Sequence, residues 1–386
     1  MGGLFMSVVD QARFRIIEDF RSGHLTREEA ALKLGISVRG VSRLARKIRS
    51  KGILGIKHGN YERTPKNKTS LKVRSFYVEL YRSKYAKFNL SHALEKILAD
   101  ESPPQRISYD VFRRWCRAEG LGKVKRRRRS KAYFRRERAA NEGFMLQMDG
   151  SPHKWNGKDE WTAILTIDDA TSDPPYGEFF ESETTWGCMR VLQRVIERKG
   201  IPEFILTDCA GWSTGSPKRQ GFSQFVRACD ELGIKVIGTP SAESKGRIER
   251  LNRTLQDRLV PELDLLGITS MSDANRYLDQ VFLPDLRQRI GVEPQSSQTR
   301  YRPVPLGVDL RKIFCMKYRR QVNRAHVIQF ENRCYDLKFE GVGSLWKQEV
   351  EIYQYQDGEI EIYHGQRPLR FELVRPQRRF AWGNER

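Results

Sequence analysis

Cysteine pairs, histidine clusters and long apolar runs are all missing from this chain. Its six cysteines are Cys116, Cys188, Cys209, Cys229, Cys315 and Cys334. None stands in a C-x-x-C pair or has a histidine at zinc-ligand spacing, so the sequence offers neither a zinc finger nor a disulfide framework. No apolar run approaches the roughly 20 residues that cross a bilayer as a helix. The opening MGGLFMSVVDQARF lacks the basic and then apolar regions of a secretory signal, and lacks the Ser or Thr of a myristoylation site. The expectation is a cytoplasmic protein with reduced thiols.

What the chain has in excess is positive charge, +22 over 386 residues. Residues 1–142 hold about 35 of the 70 Lys and Arg but only about 14 of the 48 Asp and Glu, so nearly all of the excess lies there, where it suits a polyanionic partner. The rest of the chain is almost balanced.

The basic third reads as two helical units. Residues 8–22 carry Val9, Phe14, Ile17 and Phe20 at helical spacing. In the segment that follows, Thr26 and Glu29 form a capping box. Gly35 supplies a turn, and a second helix points Val38, Val41, Leu44, Ala45 and Ile48 inward. Arg39, Arg43, Arg46 and Lys47 are left facing out. Two helices, a Gly turn and a basic second helix describe a helix-turn-helix, although a plain helical hairpin has the same pattern. A second unit spans 91–122. Ser91 and Ser108 are its cap candidates, and Arg113, Arg114 and Arg117 are available to phosphate. The run KVKRRRRSKAYFRRER, with Arg126, Arg127, Arg128 and Arg129, reads as a linker that tracks a nucleic-acid backbone.

From 143 the pattern becomes α/β. FMLQMDGS is strand-like, with Phe144, Leu146 and Met148 on one face and Asp149 on the other. WTAILTIDDAT and EFFESETT read as further strands, 185–199 as a helix, and EFILTDCA as a buried strand ending at Asp208. A helix, FSQFVRACDELG, and a strand, IKVIGTP, follow. Then KGRIERLNRTLQDRLVPEL is a long helix with Glu249 in its first turns. Carboxylates converging from two strand ends and a helix suit a pair of divalent cations, which clamp the attacking and leaving oxygens of a phosphodiester. Glu243 rivals Glu249, but falls in a loop. Residues 268–300 look helical before turning polar. Alternating runs from about 312 to 374, with Asp357-Gly358 as a hairpin turn, predict a small β-barrel.

These pieces carry a resemblance. QMDGSPHKW, IDDATS, FILTDCAGW, IKVIGTPSAESKGRIERLN and TLQDRL resemble, in order and context, the retroviral-integrase-like DDE transposases of bacterial insertion sequences, most closely the ISNCY type. The likeness covers roughly residues 20–375. It implies a multidomain α/β chain: a helix-turn-helix domain at 1–65, a second helical domain at 66–122 and a basic linker at 123–142. A ribonuclease H-like core at 143–270, a helical or linker segment at 271–311 and a β-barrel with its tail at 312–386 follow. By the resemblance, Asp149, Asp208 and Glu249 are the catalytic, metal-binding triad for two Mg²⁺ (or Mn²⁺) ions. The partners it implies are double-stranded DNA, as transposon ends and target, and a second copy of the chain in a homodimer or higher oligomer.

Two departures stand out. About 40 residues separate Asp208 from Glu249, more than is usual in the family, and the surplus fits the loop AGWSTGSPKRQG. Cys209 follows Asp208 where relatives carry a polar residue. Asp168 and Asp169 are candidates for extra ligands or, more plainly, for turn formation. His153 and Trp155 are candidates for contact with the substrate or for packing. Lys245, Arg247 and Arg253 lie on the Glu249 helix, either as DNA contacts or as salt-bridge partners. Two other functions remain open on sequence: a metal-dependent nuclease without strand transfer, and a DNA-binding repressor whose nuclease-like domain is not catalytic.

Overall fold

The structure, a computed structural model, describes residues 6–58, 61, 68–122, 136–208, 223–239, 244–339 and 343–374. Arg126, Arg127, Arg128, Arg129, Cys209 and Glu243 lie outside the described residues. The chain divides into two compact units, Met1–Phe76 and Tyr77–Arg386.

The first unit holds α1 (Val8–Arg21), α2 (Arg27–Leu34) and α3 (Val38–Lys51). The capping box at α2 is present: Thr26 accepts the Glu29 N–H, and the Glu29 carboxylate accepts the Thr26 N–H at 2.7 Å. Gly35 ends α2 at φ +61°, a conformation that costs a Cβ-bearing residue more than glycine. Ile17, Ala30, Ala31, Val41, Ile48 and Ile56 form the shared core. Val38, expected to face inward, is 40% exposed, because it opens α3 before the helix turns onto the core.

The helix α4 (Leu71–Ser83) runs across the boundary, and α5 (Leu90–Asp100) and α6 (Tyr109–Ala118) follow in the second unit. The cap of α5 is Asn89 rather than Ser91: the Asn89 side chain accepts the His92 N–H at 2.9 Å, so the helix begins earlier than the serine suggested. Ser108 does occupy the cap position of α6, though without a side-chain capping bond.

A five-stranded sheet follows, in the order β3-β2-β1-β4-β5. Its strands are β1 (Met145–His153), β2 (Trp161–Asp168), β3 (Gly177–Phe180), β4 (Phe204–Thr207) and β5 (Lys235–Gly238). The first three are antiparallel neighbours, whereas β4 runs parallel to both β1 and β5. Three antiparallel strands followed by two parallel ones make the mixed, ribonuclease H-like sheet expected from the sequence. The third strand lies earlier than EFFESETT implied. Thr184 accepts the Gly187 N–H at 3.1 Å and starts a helix where the pattern read as strand.

Every residue of β2 is buried, so both faces of the sheet are covered. On one side Leu146, Met148 and Ile164 meet α7 (Thr185–Lys199) and α8 (Gln224–Glu231). On the other, Trp155, Ala163, Leu165 and Ile167 meet α9 (Gly246–Leu265). The next helices, α10 (Met271–Tyr277) and α11 (Leu283–Ile290), are joined by a π-helical turn and bring Ala274, Leu278, Phe282 and Leu286 to the same core. Each such aliphatic or aromatic side chain contributes about 1.5–3 kcal/mol by burial.

The helix α5 lies against the C-terminal half of α9 through polar contacts. Asn89 donates to Asp257 at 2.6 Å, Arg258 to Glu95 at 2.6 Å, and His92 Nε2 lies 2.6 Å from a Glu262 carboxylate oxygen. Glu262 is buried. Burial raises its carboxyl, but the bonds from His92 and Tyr277 and the charge of Lys96 outweigh this and hold it below its ordinary value.

After α12 (Leu310–Ile313) come β6 (Met316–Gln321), β7 (Val327–Phe330), β8 (Arg333–Lys338), β9 (Glu349–Gln354), β10 (Ile360–His364) and β11 (Arg367–Val374). They form an antiparallel sheet in the order β6-β9-β10-β11-β8-β7, nearly closed where β6 meets β7. The Asp357-Gly358 turn joins β9 to β10, with Gly358 at φ +85°.

Between the sheet and α9 lies a buried polar knot. Asp169 is fully buried and accepts from Gln147 Nε2 at 2.7 Å, Arg247 Nη1 at 2.8 Å, the Ala139 N–H at 2.8 Å, and Arg136. Gln147, on β1, in turn accepts the Ile248 N–H at 3.1 Å. Asp169→Asn keeps the shape but leaves Arg247 facing a neutral amide. We expect it to lower unfolding stability by about 3–5 kcal/mol in urea titration. A loss under ~1 kcal/mol, the size of an exposed pair, would contradict this role.

Candidate active site

Asp149, expected at a strand end, lies in the middle of β1, because the Gly-Ser-Pro stretch after it keeps pairing with β2 as far as His153; strand alternation turns its side chain toward α9. Asp208 directly follows the last residue of β4, the parallel neighbour of β1. The structure brings these two carboxylates to one cation. Lys245, at the N-cap of α9, places Nζ 2.9 Å from Asp149 Oδ1 and 3.8 Å from Asp208 Oδ2. The other Asp149 oxygen accepts from Asn252 Nδ2 at 2.9 Å.

Burial pushes the Asp149 carboxyl up from its ordinary value. The Lys245 ammonium opposes that rise and the neighbouring Asp208 charge adds to it. The ammonium sits at a helix N-terminus, where the helix dipole disfavours a cation. The two carboxylates therefore supply the attraction that holds it there.

Glu249 lies in the first turn of α9, one turn beyond Lys245. Its carboxylate accepts from Arg253 at 3.4 Å, a long contact on a partly exposed side chain. Lys245 thus pairs with the aspartates rather than with Glu249 at i+4. Among the described residues no three His, Cys, Asp or Glu side chains stand close enough together to hold a metal ion. Two of the three expected ligands are assembled, and the third is on the adjoining helical turn.

The donors fit a hard cation. Two carboxylates already face one positive charge, and the Oδ1 of Asn252, in a residue 8% exposed, is buried without a hydrogen-bond partner. Sequence reasoning missed Asn252. Its signal was present in helical spacing, since Lys245, Glu249, Asn252 and Gln256 recur at i, i+4, i+7 and i+11 and so share a stripe. Gln256 extends the stripe, donating to Ser151 on β1 at 3.1 Å.

Asp168 and Asp169 are occupied structurally. Asp168 accepts the N–H groups of Gly143, Ala170 and Thr171 at 2.8, 3.0 and 2.9 Å, the turn-forming role. Asp169 holds the knot described above. Trp155 is core: it is fully buried, packs on Phe179, and donates its indole N–H to Ser151. His153 stands edge-on to it.

Of the residues expected to meet DNA, Arg39, Arg43, Arg46 and Lys47 are exposed along α3, and Arg113, Arg114 and Arg117 along α6. Arg113 also pairs with Asp110 at 3.3 Å. On α9 the three basic residues differ. Lys245 and Arg247 are engaged with Asp149 and Asp169, while the Arg253 side chain is 79% exposed.

No family model matches the sequence. Among known proteins, the chain is 31% identical over 372 residues to "Putative transposase y4bF" of Sinorhizobium fredii (strain NBRC 101917 / NGR234), covering 94% of this chain and 80% of that protein. It is 27% identical over 408 residues to the transposase for insertion sequence IS1202 of Streptococcus pneumoniae, covering 94% and 87%. Among solved structures, it is similar to the HTLV-2 integrase catalytic core domain in complex with magnesium, at 18% identity and a TM-score of 0.30, over 37% of this chain and 86% of that one. The simian T-cell lymphotropic virus intasome, solved with a PP2A regulatory subunit, matches at 16% identity and a TM-score of 0.35, over 78% and 100%. Scores of this size leave the strand order itself as the basis of the fold assignment. Sequence identity of 31%, sustained over nearly the whole chain, places it: the chain belongs to the transposases.

Proposed function

We propose that this transposase binds the terminal inverted repeats of its element, cuts the 3′ ends and joins them to target DNA. Asp149, Asp208 and Glu249 would be the ligands of two Mg²⁺ or Mn²⁺ ions. The observation that carries the reading is the convergence of Asp149 and Asp208 on a single cation position beside the first turn of α9.

Bound there, divalent ions supply activation of the attacking oxygen and charge stabilisation at phosphorus. The chain's own residues do the rest. Asp149 and Asp208 offer hard oxygens from adjacent strands, and Asn252 fixes the orientation of Asp149 through its second oxygen. Glu249, on the first turn of α9 with a long contact to Arg253, would complete the set as the third ligand. In the first displacement water attacks phosphorus and the bond to the element's 3′ oxygen breaks. In the second, the freed 3′-hydroxyl attacks a target phosphodiester and displaces the target's 3′ oxygen. Both are in-line displacements with similar charge build-up, so one site serves both. Two ends and one triad per chain call for a homodimer or larger assembly on DNA.

The exposed arginines of α3 and α6 would bind the ends. The helix-turn-helix reading of the first unit rests on its capping box, its Gly35 turn and the basic outer face of α3.

Asp149→Asn, Asp208→Asn and Glu249→Gln should each abolish both cutting of end DNA and joining of pre-cut ends to a plasmid, while leaving end binding within about twofold. The amides keep the side-chain shape but lose the charge that holds the ions. The assay is transfer of labelled end DNA into the plasmid band with Mg²⁺ or Mn²⁺. Robust nicking by the unaltered chain with no joined product would replace this reading by a simple nuclease.

The double variant Arg43→Ala with Lys47→Ala should weaken end binding. It should also make the slope of log affinity against log salt shallower by ~2, since each lost phosphate contact removes ~0.9. An unchanged slope would remove α3 from the DNA interface.

A further inference from the structure

We propose that Lys245 is a built-in counter-ion. It holds Asp149 and Asp208 together without metal, gives up their oxygens to a divalent cation, and then passes its ammonium to a phosphate of the bound DNA. The inference rests on the metal-dependent reading above.

The geometry argues for competition. Lys245 Nζ donates to Asp149 Oδ1 at 2.9 Å and lies 3.8 Å from Asp208 Oδ2, with its side chain only 10% exposed. A Mg²⁺ ion binds carboxylate oxygen at ~2.0–2.1 Å. An ion seated on these two aspartates would be pressed against a like charge, so the ammonium must leave. Once displaced it stands at the N-terminus of α9, where a cation needs an anionic partner. The anion that arrives with the substrate is phosphate. Asn252 keeps its bond to Asp149 throughout, so the aspartate stays oriented while its other oxygen changes partner. Metal and DNA therefore help each other bind: DNA draws the lysine away from the aspartates, and by linkage the metal frees the lysine for DNA.

The test measures Mn²⁺ binding to the full chain by electron paramagnetic resonance of the free ion. A double-stranded oligonucleotide of the sequence bordering the gene is added in a parallel arm. Lys245→Met should bind Mn²⁺ about tenfold or more tightly than the unaltered chain in the absence of DNA, because the competing charge-assisted bond is gone. DNA should tighten Mn²⁺ binding to the unaltered chain and have little effect on Lys245→Met. In EDTA, Lys245→Met should melt at a lower temperature than the unaltered chain. If Lys245→Met does not fold, Lys245→Gln carries the same expectations. Lys245→Arg, which keeps the charge, should bind Mn²⁺ no more tightly than the unaltered chain. Unchanged or weaker Mn²⁺ binding by the neutral variants, with Asp149→Asn still abolishing it, overturns the counter-ion role and leaves the metal site standing. Mn²⁺ binding that is absent from the unaltered chain, or indifferent to Asp149→Asn, overturns the metal reading and this inference with it.

Discussion

The buried carboxylate of Asp169 is the constraint on which the site depends. It sits at the end of β2, yet gathers the chain arriving from the basic linker, the central strand β1 and the start of α9. An unpaired charge at that depth would be strongly destabilising, so its partners cannot leave singly. Through Gln147 the same knot grips the Ile248 N–H, which sets the position of the first turn of α9 over β1. Asp149 is two residues along the strand from Gln147, and Glu249 directly follows Ile248. The spacing of Asp149 and Glu249, two of the carboxylates proposed to be catalytic, is therefore inherited from a bond network that contains neither of them.

A second set of contacts ties the other end of α9 to the helices that precede the core. Glu262 meets His92 and Tyr277 in a buried cluster, and Arg258 meets Glu95. The arginine face of α6 belongs to the same helical unit as α5, which packs along α9. In the proposed function, DNA held on that face would lie at a fixed distance from the carboxylates. On that proposal the helices at 77–122 would act as a gauge for where the backbone is cut.

Much of this was legible in the sequence where one local rule decided the outcome. The Thr26 and Glu29 box, the Gly35 turn and the Asp357-Gly358 hairpin follow from local backbone chemistry. An apolar run that stops at an acid placed Asp208 directly after β4, but the same rule failed for Asp149, because β1 continues past it to His153. Expectations failed where two local signals competed. Asn89 outbid Ser91 as the α5 cap, and Thr184 turned a strand-like stretch into the start of α7. Least legible were the partners of buried charge. Nothing in IDDATS says that its second aspartate reaches Arg136 and Arg247, residues 33 and 78 positions away. Nor does the run KGRIER say that its lysine serves two aspartates rather than the glutamate at i+4.

The central claim is that Asp149 and Asp208 form a cation site that Lys245 fills until a divalent metal takes its place. The most direct measurement is the anomalous diffraction of Mn²⁺ in crystals of the full chain. The account predicts a manganese peak bound to an oxygen of each aspartate, with the Lys245 ammonium withdrawn from Asp149. A peak elsewhere, or Lys245 still bonded to Asp149 in crystals saturated with Mn²⁺, would contradict it.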